Sequence, residues 1–219
     1  MSTPNAPDRD ASGHRPPSDH RPPDHRPAPA AADGRALGPR IRSDIIDAYI
    51  MRAVASVDPA QPKQWQFLQL LRSRDPLRNT WQPVMGHIET GEHAVATMVR
   101  EVHEEVGLDL LAAASSAQLG AYALEQVHPF YIAAIDCIVL SARFAIEVSP
   151  HWQPRLNAEH SEHRWVPQHQ TSAMFTWPGQ HASIAEACAL LSGADDQQAS
   201  RTWLRLSPDQ LAAACKAGT

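Results

Sequence analysis

The feature that most constrains this chain is the segment 86–108, where glutamates crowd onto one side of a predicted helix. Its letters are GHIETGEHAVATMVREVHEEVGL. If residues 92–106 are helical, at about 100° per residue, then Glu101, Glu104 and Glu105 share an arc of roughly 100°. The other side carries a stripe typical of a buried face, formed by Val95, Val99, Val102 and Val106. The sequence therefore predicts a helix with one face in the core and one acidic face.

The acidic face is unfavourable for the helix taken alone. Each close pair of like charges costs roughly 0.2–0.5 kcal/mol, and the pairs lie toward the C-terminal end, where the helix dipole also disfavours anions. Arg100, four residues before Glu104, offsets only part of this repulsion. A divalent cation would offset the rest, and carboxylates together with a backbone carbonyl suit Mg²⁺ or Mn²⁺. We therefore expect a metal site on this face.

The same segment resembles the signature of the Nudix hydrolases, G-x5-E-x7-R-E-U-x-E-E-x-G-U, in which U is a bulky aliphatic residue. All nine specified places are filled, by Gly86, Glu92, Arg100, Glu101, Val102, Glu104, Glu105, Gly107 and Leu108. At ordinary residue frequencies, the chance of such a match at a given start is on the order of 10⁻⁹ or less. A solvated acidic helix face without function is thus a weak alternative.

The resemblance implies that the signature residues hold one or more Mg²⁺ ions, with Mn²⁺ as the alternative. The expected ligands are the carboxylates of Glu101, Glu104 and Glu105 and the backbone carbonyl of Gly86. Arg100 would orient Glu101 or Glu104 through a charge-assisted hydrogen bond. Glu92 would brace the loop that begins at Gly86, called the glycine loop below, rather than bind the metal.

A second informative stretch is LNAEHSEHRWV, residues 156–166. It resembles the E-H-x-x-x-x-W segment of Nudix enzymes that act on nucleoside or pterin triphosphates. The resemblance implies that Glu159 comes from a loop to meet the helix carboxylates, as a metal ligand or as the general base, with Glu162 as a nearby competitor. The base that takes the proton of the attacking water would be Glu101 or Glu159.

Composition and motifs divide the chain into three parts. Residues 1–40 are rich in Pro, His and Arg and poor in bulky hydrophobic residues, which predicts a disordered tail. Residues 41–192 form the predicted Nudix domain, for which the resemblance implies an α/β/α sandwich with a mixed central sheet. Residues 193–219 form a predicted C-terminal helical extension, in which Ser207-Pro-Asp-Gln210 is a capping box with proline at the first helical position.

Apolar runs rich in β-forming residues, bounded by Pro, Asp and Asn, predict the strands of the domain. The expected strands are 43–57, 65–71, 119–126, 131–140, 144–148 and 164–166. The run 131–140 is apolar enough to predict one strand buried on both faces. An amphipathic helix is expected at 180–191.

Three residues outside the signature are candidate substrate contacts. Arg72 and Arg74 stand just before a loop where similar enzymes often place a cation against the substrate phosphates, although ordinary surface arginines explain them equally well. Trp81 precedes the glycine loop in a Trp-Gln pair that also supports the resemblance to triphosphate-cleaving enzymes. Trp177 is expected in the core, with stacking near a base as the alternative.

Charge and cysteine usage narrow the class of protein further. The formal charge of −5 supplies no basic field for nucleic acid, which favours a small nucleotide-like polyphosphate as the substrate. Cys137, Cys188 and Cys215 show no metal-ligand spacing and predict free, mostly buried thiols in a reducing cytoplasm. No stretch is apolar enough for a membrane span. The oligomeric state, monomer or homodimer, stays open.

The expected reaction is the hydrolysis of a phosphoanhydride in a nucleoside triphosphate of dNTP type or a pterin triphosphate, which gives a monophosphate and pyrophosphate. Substrates of the ADP-ribose or dinucleotide polyphosphate type are the alternative within the family. A Nudix-fold module that binds a ligand without turnover is the alternative outside enzymes. Such modules commonly lose glutamates of the signature, whereas this chain keeps them all.

Overall fold

A computed structural model of the protein describes residues 38–54, 63–75, 77–112, 117–127, 129–192 and 202–217. The predicted tail lies almost wholly outside these residues. The strands are β1 (Arg40–Val54), β2 (Gln64–Arg72), β3 (Trp81–Gln82), β4 (Val84–His87), β5 (Gln118–Ala123), β6 (Pro129–Ile132), β7 (Cys137–Val148) and β8 (His160–Pro167). The helices are α1 (Ala94–Val106), α2 (Thr171–Met174), α3 (Pro178–Ser192) and α4 (Pro208–Lys216).

The strands of the described residues form one sheet organised around β1, because β1 is long enough to pair with three neighbours. Its residues 40–52 run parallel to β7, with one irregularity between Arg42 and Ile45. On its other edge, its first half pairs antiparallel with β4 and its second half pairs antiparallel with β2. The strands β3 and β8 extend the β2 side, while β5 and β6 pair with β7. The sheet is mixed, as expected.

Helices cover both faces of this sheet, because side chains alternate across each strand and both sets are apolar. The face under α1 buries a cluster that includes Ile46, Ile50, Leu70, Met98, Val102 and Val106. The opposite face, under α3, buries a cluster that includes Tyr49, Met51, Phe67, Ile184 and Leu191. The α/β/α sandwich is therefore confirmed, and the valine stripe of α1 lies in the core.

One strand prediction is wrong. The run 131–140 is interrupted by a short 3-10 helix, Ala133–Ile135, and by Asp136, which adopts a left-handed conformation with φ of 45°. The chain turns back there, so the first part of the run is the exposed strand β6. The second part continues without a break into the predicted strand 144–148 to form β7. Apolar composition alone concealed a hairpin, because its turn carries one polar residue, Asp136.

The described part of the C-terminal extension packs against the domain. Ser207 accepts a hydrogen bond from the backbone N–H of Gln210, whose side chain accepts from Ser207 N–H, so the predicted capping box begins α4. Leu211 is buried among the core residues below α1. Residues 193–201 of the extension lie outside the described part of the chain.

A buried ion pair joins the sheet to α3. Asp47 of β1 and Arg143 of β7 are opposite each other, with Arg143 Nε 3.5 Å from Asp47 Oδ2. Arg143 also donates to the carbonyl of Gly179 and to Ser183 Oγ. Burial raises the pKa of Asp47 to about 6, against the lowering effect of Arg143. This pair lies on the sheet face opposite α1.

The cysteines are free thiols, of which Cys137 and Cys188 are buried and Cys215 is partly exposed. This agrees with the expectation from their spacing. None of the helices in the described ranges has the length and apolar character needed to cross a bilayer.

Candidate metal and phosphate site

The helix α1 ends where the signature predicts. Gly107 adopts a left-handed conformation with φ of 70°, and its N–H donates to the carbonyl of His103. A residue with a side chain would be strained in this conformation. The glycine thus ends the helix two residues after Glu105, which places the acidic face at the C-terminal end of α1.

Gly86 allows the closest approach between β4 and α1. It lies opposite Ile46 of β1, and a β-carbon at this position would overlap the carboxylate of Glu101. The Glu101 side chain, 14% exposed, therefore lies directly against the backbone of the glycine loop. The Gly86 position and the Glu101 carboxylate are brought together as the signature implies.

Arg100 gathers three carboxylates around one guanidinium group. Its Nη1 donates to Glu101 Oε1 at 2.8 Å and lies 3.4 Å from Glu104 Oε2. Its Nε and Nη2 donate to both oxygens of Glu92 at 3.0 and 2.9 Å. Nη2 also donates to the carbonyl of His87 in the glycine loop. Arg100 therefore links the loop before α1 to the acidic face of the helix.

Glu92 is the best satisfied carboxylate of the signature. Besides Arg100, it accepts hydrogen bonds from Thr97 Oγ1 at 2.8 Å and from the backbone N–H of Glu89 at 3.2 Å. The hydrogen bonds from Arg100 are the largest cause that lowers its pKa to about 2. This geometry matches the expected bracing of the glycine loop.

Glu105 is in the opposite situation, although it belongs to the same helix. It is 2% exposed, and its Oε2 has no hydrogen-bond partner. Burial raises its pKa to about 9, with the negative charges of Glu101 and Glu159 adding to the shift. The charge of Arg72 and a hydrogen bond from the backbone of Met85 oppose it. A buried carboxyl group with an unused oxygen is a ready acceptor for a cation.

Glu159 reaches this acidic face from the loop before β8. Its carbonyl accepts hydrogen bonds from the N–H and the hydroxyl of Ser73, and its N–H donates to Asn157 Oδ1. Its carboxylate, 42% exposed, lies 3.5 Å from Arg72 Nη1. The negative charge of Glu159 raises the pKa of both Glu101 and Glu105, which indicates that its carboxylate lies near theirs.

The competitor Glu162 lies in β8 itself. It is exposed and opposite Leu71 of β2. The preference for Glu159 over Glu162 as the outer carboxylate stays a prediction.

The candidate substrate contacts are placed differently from one another. Arg72, at the end of β2, points to Glu159, whereas Arg74 is exposed in the following turn. Trp81 lies opposite Leu71 and packs under the guanidinium of Arg164, whose Cζ is 4.0 Å from the ring centre. Arg72 is thus brought to the carboxylates, and Arg74 and Trp81 are not shown in contact with them.

His160 is the histidine of the E-H-x-x-x-x-W segment. The resemblance implies no role for it, yet it lies beside the proposed site. It is 4% exposed, and its Nδ1 is 3.9 Å from Glu105 Oε2. Its other ring nitrogen is 3.4 Å from Gln82 Nε2. Burial lowers the pKa of His160 to about 4. The signal in the sequence is its place directly after Glu159, at the start of β8.

The donor set fits a hard divalent cation by three observations. The ligands are all oxygen atoms, the Glu105 oxygen is buried and unpartnered, and the Gly86 backbone is open to Glu101 because no β-carbon intervenes. Within the described residues, no three His, Cys, Asp or Glu side chains are arranged so that they could hold a metal ion as they stand. Glu101 and Glu104 lie against Arg100 instead, and Glu159 lies near Arg72.

A cavity of about 270 Å³ opens on the Glu92 side of Arg100. Its lining residues are Glu89, Thr90, Glu92, Ala96, Val99, Arg100 and Cys215. None of Glu101, Glu104, Glu105 and Glu159 lines it. The cavity is therefore separate from the converging carboxylates.

Comparison with solved structures supports the fold through two matches with TM-scores of 0.50 or more. An Ap4A hydrolase from C. elegans in a binary complex is 18% identical, with a TM-score of 0.52, and the match covers 68% of this chain and 98% of that one. A Listeria monocytogenes protein described as a NUDIX hydrolase is 22% identical, with a TM-score of 0.50 and coverage of 76% and 100%. The dihydroneopterin triphosphate pyrophosphohydrolase of E. coli is 22% identical, with a TM-score of 0.47 and coverage of 65% and 95%.

Comparison at the level of sequence identifies the family. No curated protein sequence matches the chain significantly. The model of the NUDIX domain family, however, matches residues 50–188, which is more than half of the chain and includes the whole segment 86–108. The chain therefore belongs to the Nudix hydrolases, enzymes that act on nucleotide phosphoanhydrides.

Proposed function

We propose that this protein hydrolyses a phosphoanhydride of a nucleoside or pterin triphosphate with the help of Mg²⁺, releasing a monophosphate and pyrophosphate. The observation that carries the proposal is the convergence of Glu159, from a separate loop, on the helix carboxylates, since its negative charge raises the pKa of both Glu101 and Glu105. Such repulsion is useful where a cation and an electron-rich phosphate must be held together.

The proposed metal ligands are the carboxylates of Glu101, Glu104, Glu105 and Glu159 and the carbonyl of Gly86. Mg²⁺, or Mn²⁺ in its place, would supply neutralisation of the phosphate oxygens and a lower pKa for the attacking water. The exposures of the glutamates support a division of roles. Glu105 is buried and suited to hold its ligand position, whereas the Glu104 side chain is 52% exposed and lies 3.4 Å from Arg100 Nη1 at the surface.

Glu159 is proposed as the general base. Its carboxylate is 42% exposed and reaches the site from a loop, so a substrate and its attacking water can approach it. Glu101 is the alternative base, but its carboxylate is 14% exposed, lies against Gly86 and accepts a hydrogen bond from Arg100. These contacts favour Glu101 as a ligand whose orientation Arg100 maintains.

Arg72 would bind the substrate phosphates. Arg72 lies next to Glu159 at the end of β2, so a phosphate group near the carboxylates would be within its reach. Arg74 and Trp81 stay as proposed contacts to the more distant parts of the substrate. The buried thiols Cys137 and Cys188 support a reducing, cytoplasmic setting.

The test is a substrate panel with the purified full chain. The panel contains dNTPs, dihydroneopterin triphosphate, ADP-ribose and dinucleotide polyphosphates, each with Mg²⁺, with Mn²⁺ and with a chelator, and Glu105→Gln is the control. We expect metal-dependent release of pyrophosphate from a triphosphate in the panel. Turnover of ADP-ribose or a dinucleotide alone would reassign the substrate, and saturable binding without turnover would assign the protein to the non-catalytic modules.

A further inference from the structure

His160 is buried between two side chains that belong to different parts of the fold. Its Nδ1 faces Glu105 Oε2 on α1 at 3.9 Å, and neither atom has another hydrogen-bond partner. Its Nε2 is 3.4 Å from Gln82 Nε2 on β3. The ring therefore lies between the carboxyl group that we propose as a metal ligand and an amide that is 1% exposed.

The amide group determines which ring nitrogen carries the proton. The nitrogen of a glutamine side chain can only donate, so the facing Nε2 of a neutral His160 must accept. With that arrangement the single ring proton is on Nδ1, which lies 3.9 Å from the unpartnered oxygen of Glu105. A separation of 3.9 Å is longer than a hydrogen bond, and such contacts in a ligand-free site commonly tighten when the ligand binds.

The strand pairing determines the position of His160. It is opposite Arg72 in the β2–β8 ladder, and its N–H is directed to the carbonyl of Asn157. Its neighbour Glu159, in the turn before β8, pairs with Arg72. The same short segment thus presents one proposed ligand directly and contacts a second one through His160.

We propose that His160 is a positioning residue, which donates from Nδ1 to one lone pair of Glu105 Oε2, leaves the other lone pair of that oxygen to the metal and holds the carboxylate in its metal-binding orientation, while Gln82 fixes the required tautomer. This inference rests on the proposed role of Glu105 as a metal ligand. Carboxylates and imidazoles that bind metals are generally oriented by such outer hydrogen bonds, whose loss weakens metal binding about 10- to 100-fold.

Two substitutions separate the two nitrogens of the ring. The amide nitrogen of Asn falls near the position of Nδ1, so His160→Asn keeps the donor to Glu105 and loses the contact with Gln82. The amide of Gln reaches the position of Nε2, so His160→Gln keeps the contact with Gln82 and loses the donor. His163→Gln is the matched control, because His163 is exposed on the same strand.

The readout is the affinity for Mn²⁺ in the absence of nucleotide, measured by calorimetry or by electron paramagnetic resonance, together with the melting temperature. We expect His160→Gln to weaken Mn²⁺ binding about 10-fold or more, His160→Asn to stay within about 3-fold of wild type on the same scale, and His163→Gln to be unchanged. Equal losses in the two His160 variants would overturn the proposal, because a purely structural residue would not distinguish the nitrogens.

The tautomer is measured independently in the unmodified protein, so a variant that fails to fold does not leave the matter undecided. Long-range ¹H–¹⁵N spectra of histidine-labelled protein with Mg²⁺ should show Nδ1 protonated and Nε2 unprotonated for His160. A proton on Nε2 would overturn the proposal. If Glu105→Gln leaves Mn²⁺ affinity unchanged, the proposed metal site itself fails, which is a different result from the failure of His160 alone.

Discussion

Glu92 and Glu105 stand at the two ends of the signature and differ in almost every physical respect. Glu92 accepts hydrogen bonds from Arg100, Thr97 and the backbone of Glu89, and its pKa is lowered to about 2. Glu105 is buried with one oxygen unpartnered, and burial raises its pKa to about 9. The first carboxylate has its partners within the loop and helix. In the second carboxylate, the nearest candidate partner of the unpartnered oxygen is His160, on a strand distant in the sequence.

The difference teaches where the stability of this region comes from and where its chemistry resides. A satisfied carboxylate next to an arginine stabilises the fold as an anion. An unsatisfied buried carboxylate destabilises the fold as an anion, and a protein keeps such a group where a ligand satisfies it. We therefore interpret the Glu92–Arg100 network as the structural end of the site. The region of Glu105 and Glu159, where we propose that the metal binds, is called its reactive end.

The largest expected effect comes from replacing the proposed ligands at the reactive end. Glu105→Gln and Glu104→Gln should each lower the turnover of a metal-dependent substrate by orders of magnitude. Glu105→Gln should leave the melting temperature in metal-free buffer nearly unchanged at neutral pH, because burial raises the pKa of Glu105 to about 9 and the carboxyl group is uncharged there. Glu104→Gln should also leave it nearly unchanged, because Glu104 is exposed. Steady-state kinetics and calorimetry of both variants check this.

The opposite pattern would remove the contrast between the two ends. If Glu105→Gln lowered the melting temperature and kept the wild-type turnover, Glu105 would be a structural residue like Glu92. The metal would then have to be held elsewhere on the acidic face.

The second expected effect concerns the loop carboxylate. Glu159→Gln should reduce kcat roughly 10²-fold or more, the scale of general-base catalysis. Glu162→Gln is the matched control, because Glu162 is three residues away, exposed and in β8. If Glu162→Gln lowered kcat and Glu159→Gln did not, the role of general base would pass to Glu162. The proposed roles of the helix glutamates would not change.

The third expected effect sharpens the contrast at the structural end. The pKa of Glu92 is lower in the folded protein than its ordinary value of 4.5. Its contribution to stability is therefore fully present above about pH 4.5 and is lost as the pH falls toward 2. Glu92→Gln should cost on the order of 1–2 kcal/mol at pH 7, after allowance for screening by water.

The measurement is urea unfolding of wild type and Glu92→Gln at fixed salt. The pH values run from about 2.5 to about 7, so that they bracket the ordinary carboxyl pKa of about 4.5. The difference between the two proteins should be largest at neutral pH and shrink in acid. A difference that is independent of pH would show that the contribution of Glu92 does not depend on its charge.

The smallest expected effect concerns the tail. Deleting residues 1–39 leaves β1, which begins at Arg40, intact, and removes few bulky apolar side chains. The melting temperature and kcat of the truncated chain should stay close to those of the full chain. A substantial change in kcat with an unchanged melting temperature would indicate that the tail acts on the reactive end.

The predictions from sequence succeeded where the signal is local and repeated. The helix α1, its C-terminal glycine and the capping box of α4 all follow from spacings of a few residues. The hairpin between β6 and β7 was missed because the apolar run continues almost through its turn. An apolar run that forms one long strand and an apolar run that folds into a hairpin have nearly the same composition. Only the pairing between strands distinguishes the two cases.

The sequence by itself determined the family, the helix and the shared acidic face, because the geometry of a helix places residues three and four apart on one side. Only the tertiary structure decided how different the glutamates of that face are. Glu104 is exposed, Glu105 is buried, and Glu159 approaches from 54 residues beyond Glu105 through the β2–β8 register. Desolvation and long-range pairing depend on what packs around a residue, and the local spacing of residues does not encode them.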